Sequence, residues 1–185
     1  MGPGEAVGAW GDGGRRHGPG SGPGGGGRRA LSLAMLHPAP TTKIDPSLAR
    51  GTLVEIHQAT ATQPSFIVLT VPNTDYRLHL RPFNNDLSVF EGRVGQRVIG
   101  RIRAEARRID SVGAGGRYIE PTYGRPRRVQ GMVRSIVPGE HAVLVGAGVP
   151  VHLVVTAPGQ EPGQFGEDDF VTCGVKDGAS FELVE

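Results

Sequence analysis

From Gly51 onward, apolar and polar residues alternate one by one along much of the chain, and a period of two is the signature of half-buried strands. The longest run is RVIGRIRAEAR, residues 97–107. Val98, Gly100, Ile102, Ala104 and Ala106 share one parity; Arg97, Arg101, Arg103 and Arg107 share the other, interrupted by Ile99 and Glu105. The pattern predicts a strand with one packed face and one open face carrying four guanidinium groups. TLVEIHQ, starting after Gly51, predicts an earlier strand. FIVLTV, the turn residues Pro72-Asn73-Thr74-Asp75 and YRLHLR predict a hairpin. Its second arm directs Tyr76, Leu78 and Leu80 to one face and Arg77, His79 and Arg81 to the other. NNDLSVFEG predicts a helical turn capped by Asn85 or Asp86, and RRIDSV or GGRYIEPTY is expected to supply a fifth strand.

The second part of the chain echoes the first. GTLVEI at 51–56 corresponds to GMVRSI at 131–136, FIVLTVPNTDYRLHLRP to HAVLVGAGVPVHLVVTAP at 141–158, and RVIGRI at 97–102 to FVTCGV at 170–175. Order and spacing agree better than identity does, which predicts a duplicated unit with shorter loops in its second copy. Short antiparallel strands with a helical turn between the third and fourth resemble a small OB-type barrel, and the whole resembles tandem OB-fold-like domains; an SH3-like barrel suits the same strand count. The expected architecture is all-β. A leader and linker occupy 1–50, a basic first barrel 51–122, a basic linker 123–130 and an acidic second barrel 131–185. In OB-folds that bind oligonucleotides, the second and third strands and their flanking loops form the binding face, which the resemblance places at Arg77, His79 and Arg81. In the second copy His152, Val154 and Thr156 are expected in their place.

Composition changes this picture at the ends. Of 30 glycines, 13 fall in the first 27 residues, a stretch with no hydrophobic period, and this predicts a disordered leader. The leader reads either as a basic arm or as sequence preceding a start at Met35; RRALSLAML has an apolar run at the minimum length for an export signal and ends in HPAP without a good cleavage site, so export is not the expected reading. Net charge is only +2, but ten arginines lie between Arg93 and Arg128 against three acids, while seven acids against Lys176 close the chain. Cys173 is the sole cysteine, so no intramolecular disulfide forms, and it sits in an apolar run as a buried small residue. No apolar stretch approaches the roughly 20 residues needed to span a bilayer, and the cytoplasm is the expected compartment.

The candidate chemistry is binding. The histidines at 57, 79, 141 and 152 lie on separate predicted strands, the acids at 167–169 lack a calcium-loop pattern, and the short Gly-rich turns have no following helix to meet a phosphate. No enzyme, metal or cofactor is expected. Nucleic acid, as single-stranded DNA or RNA, is the expected partner, contacted by Arg77, His79 and Arg81, by Arg97, Arg101, Arg103 and Arg107, and by Arg125, Arg127 and Arg128 of the linker. Phe66, Phe83, Tyr118 and Tyr123 are the aromatics available for base stacking. The alternative is a structural module that self-associates or docks on an acidic protein.

Overall fold

Residues 44–185 are described by the computed structural model of the chain, and they lie within one compact unit. The expectations for the leader fall outside them. Ten strands form among these residues. They are β1 (Ala49–His57), β2 (Phe66–Thr70), β3 (Arg77–Pro82), β4 (Arg97–Ser111), β5 (Tyr118–Glu120), β6 (Tyr123–Gly124), β7 (Arg128–Val137), β8 (Ala142–Gly146), β9 (Pro150–Val155) and β10 (Phe170–Leu183). The only helices among the described residues are single 3-10 turns, so the unit is all-β. The expected helical turn is Ser88–Phe90; Asp86 Oδ1 accepts from Ser88 N at 2.9 Å and from Ser88 Oγ at 2.6 Å, and Phe90 is fully buried beneath it.

β4 buries the parity read from sequence, Val98 through Ala106, because only that face meets the core. It does not stop there. RRIDSV continues β4 instead of making a separate fifth strand, and a register shift opposite Cys173–Val175 resets the alternation. Arg107 and Arg108 both face solvent across the shift, and Ile109 returns to the interior.

β4 and β10 are each long enough to serve twice. β1, β2 and β3 form an antiparallel meander, β3 runs parallel to the end of β10, β10 pairs with β4, and the start of β4 pairs back onto β1. β7, β8 and β9 repeat this: β9 runs parallel to the middle of β4, and the start of β10 pairs back onto β7. Two closed pairing circuits therefore share both long strands within one ten-stranded sheet. These shared strands pair with elements on either side of positions 122 and 131, and one hydrophobic core includes Leu53, Leu78 and Phe90 from the first half and Val133, Val143 and Leu153 from the second. The segment expected as a linker carries β6, paired with β3, and the start of β7.

The echo is visible in the pairing. β1 has a register shift between Leu53 and Glu55, and β7 has one at the corresponding Val133 and Ser135. Val68 pairs with His79 and Leu144 with His152, so His152 corresponds to His79, two positions away from the match with Arg77 expected from sequence. Gly51 and Gly131 repeat for a steric reason. A Cβ on Gly51 would sit 2.6 Å from the Thr70 carbonyl oxygen, and one on Gly131 would collide with that of Gly146, the residue equivalent to Thr70.

Candidate functional site

The extra residue at the β1 shift turns Glu55 and His57 outward. His57 then lies across from Phe66, its partner on β2, and their rings stack with centroids 4.3 Å apart and planes 8° from parallel. Phe66 stacks in turn on His79 of β3, at 4.8 Å and 17°. Tyr123 of β6 closes the series edge-on to His79 at 5.2 Å. Four rings from four strands thus form one column on the outer face of β1–β2–β3–β6. Tyr123 is 59% exposed, which leaves ring surface open to solvent.

Charge is arranged around the column. Glu55 reaches His57 Nε2 at 2.8 Å and accepts from Arg77 Nη2 at 3.4 Å. Arg77 in turn lies over the Tyr123 ring, 5.4 Å from its centroid. Burial, followed by repulsion from His57, pulls the His79 pKa below its ordinary value; Glu55 opposes the effect and Arg77 adds to it. Arg81 is half-buried on the same strand, with no ion pair among the described residues. It lines a shallow groove of about 250 Å³ with Phe83, Arg103, Gly178 and Ser180. Arg125 borders that groove, donating from Nη2 to the Asp177 carbonyl at 2.8 Å and lying against Gly178.

The sequence-predicted arginines do not act as one surface. Arg77, His79, Arg81 and Arg125 gather at the column and its adjoining groove. Arg101 and Arg103 do share the outer parity of β4, but their guanidinium groups are not free: Arg101 lies 3.5 Å from Glu182, and Arg103 lies 3.1 Å from Glu140 and 3.9 Å from Glu182. Arg97 is exposed at the start of β4. Arg107 packs its stem against Gly174, the register partner of Arg128, so these two form a separate basic patch, with Arg127 exposed beside it. Phe66 and Tyr123 were legible as candidates; His57 and Glu55 were not, because strict alternation from Leu53 points both inward.

The second half lacks the column. Val137 and Ala142 stand where His57 and Phe66 stand, and His152 is buried, with Nε2 3.0 Å from the Ser47 carbonyl oxygen and Nδ1 3.5 Å from Glu140. Cys173 is buried as expected, and burial pushes its thiol up to about 12. No group of three or more His, Cys, Asp or Glu side chains among the described residues is placed to hold a metal ion, and no described helix is long and apolar enough to cross a membrane. In comparisons with known proteins, the chain matches no family model, no curated protein and no solved structure.

Proposed function

We propose that this chain binds single-stranded nucleic acid, DNA or RNA, on the outer face of β1, β2, β3 and β6. The observation that carries the reading is the His57–Phe66–His79–Tyr123 column with Arg77, shared with Glu55, over its exposed ring and the unpaired Arg81 beside it. Aromatic surfaces take bases of any sequence, and guanidinium groups take the phosphates between them. The rings already stack on one another, so bases extend the column at its ends, on the outward face of His57 and the open surface of Tyr123. Arg77 is held over Tyr123 by Glu55, while Arg81 and Arg125 face the backbone of a strand leaving the column. In the finer reading of the fold, each pairing circuit is an OB-type barrel, and the column occupies the second- and third-strand face such barrels use for oligonucleotides. The role is binding without catalysis, in the cytoplasm.

Salt dependence tests the electrostatic part. Three phosphate contacts, one each for Arg77, Arg81 and Arg125, predict that the logarithm of the association constant for a labelled single-stranded oligonucleotide falls with the logarithm of salt concentration with a slope of about −2. Absence of saturable binding at low salt would remove the proposal. Protein docking is the competing reading, and the exposed apolar residues Val89, Val94 and Val184 favour it; a defined oligomer by mass measurement would support it.

A further inference from the structure

The face equivalent to the aromatic column is empty of rings in the second half, and a cleft of about 600 Å³ lies there. Register fixes the equivalence. Ser135, Leu144 and Pro150 of the cleft wall correspond to Glu55, Val68 and Arg77. In the first half, the surface over Val68 is filled by His57, Phe66 and His79. In the second, Val137 and Ala142 are too small to fill it, and His152 is drawn away to Ser47. The segment running into β1 covers part of the space, and Pro46 forms one wall.

What remains has a definite chemistry. Leu144, Val149, Pro150 and Pro46 supply apolar lining, and Arg117 and Arg134 both line the same cleft. No carboxylate lines the cleft, and neither arginine has an ion-pair partner among the described residues. Arg117 spends one N–H on the Met132 sulfur at 3.6 Å, a weak acceptor. Arg134 is the extra residue at the β7 register shift, and its guanidinium lies over Gly146, where a Cβ would sit 2.9 Å from Nε. A Cβ there would displace the flexible end of Arg134 from this path, and the equivalent position in the first half is Thr70. Volume and lining fall in the range of small-molecule sites, which combine apolar walls with a few polar anchors, and paired guanidinium groups select carboxylate or phosphate.

We infer that the second half carries a separate site for a small organic anion, an apolar body with one carboxylate or phosphate group held between Arg117 and Arg134. The site is independent of the nucleic-acid reading. Anilinonaphthalenesulfonate, an apolar probe with a single negative group, tests it on the full chain. The expected result is saturable fluorescence enhancement that octanoate displaces, at least tenfold weaker in Arg117→Gln/Arg134→Gln and unchanged in Tyr123→Ala. Gly146→Ala, which pushes Arg134 aside, is expected to weaken the probe as well, with melting temperature recorded for each variant. No saturable enhancement, equal affinity in the folded double variant, or displacement by a single-stranded oligonucleotide but not by octanoate would overturn the inference.

Discussion

At the scale of single residues, His79 links the site to pH. Its side chain stacks on Phe66, and its buried Nε2 has no hydrogen-bond partner, so the charged form loses solvation and meets His57 and Arg77 nearby. A basic group with a lowered pKa in the folded state is protonated first in the unfolded chain. Its contribution to stability is therefore present above the ordinary value of 6.5 and is lost as pH falls from there toward the folded value. The melting temperature should drop across this window in the wild type and drop less in His79→Gln; equal slopes would show that His79 is not the source. Asp45 and Asp86 are held below the ordinary 3.8 by hydrogen bonds from Ser47 and Ser88, so their loss of stability falls at more acidic pH and is separable. A bound polyanion favours protonated His79, so affinity for an oligonucleotide is expected to rise as pH falls through the same range.

At the scale of elements, the sequence made the strands legible, but not their breaks in phase. Alternation over 97–107 identified β4 and its buried face, and the hairpin of β2 and β3 followed from its turn residues. Besides the shift in β4 at Arg107 and Arg108, two one-residue shifts escaped it. The shift after Leu53 brings His57 out to meet Phe66, and the one after Val133 aims Arg134 over Gly146. Alternation carries no mark of either, because an inserted residue looks like any other until its partner strand is known. The repeated Gly51 and Gly131 were visible as an echo, and their cause is the close approach of a neighbouring carbonyl. Gly131→Ala should therefore destabilise the protein by about 2 kcal/mol, the usual scale for overpacking, lowering the melting temperature by about 4–8 °C. Thermal denaturation checks this, and an unchanged midpoint would mean that β7 and β8 can separate at little cost.

At the scale of the whole molecule, strand sharing decides behaviour. The repeated strand pattern was legible in order and spacing, whereas the partners of β4 and β10 were not, because parallel pairing of β3 with β10 and of β9 with β4 joins residues remote in sequence. Each circuit takes strands from both halves of the chain, so neither closes without the other. Calorimetry should record one cooperative unfolding transition for residues 44–185; two resolved transitions would contradict this coupling. Within that frame the halves have diverged in their outer faces: one carries a ring column with free arginine, the other a cleft with two guanidinium groups. The central claim is that the ring column binds single-stranded nucleic acid, and its most direct test is a fluorescence-anisotropy titration of a labelled oligonucleotide with wild type, Tyr123→Ala and Arg97→Ala at one salt concentration. Tyr123 is exposed, and losing one stacking ring costs about 1–3 kcal/mol. The predicted result is binding at least about fivefold weaker for Tyr123→Ala at unchanged melting temperature, with Arg97→Ala, away from the column, much closer to wild type. Equal affinity of Tyr123→Ala and wild type, or no saturable binding by either, would contradict it.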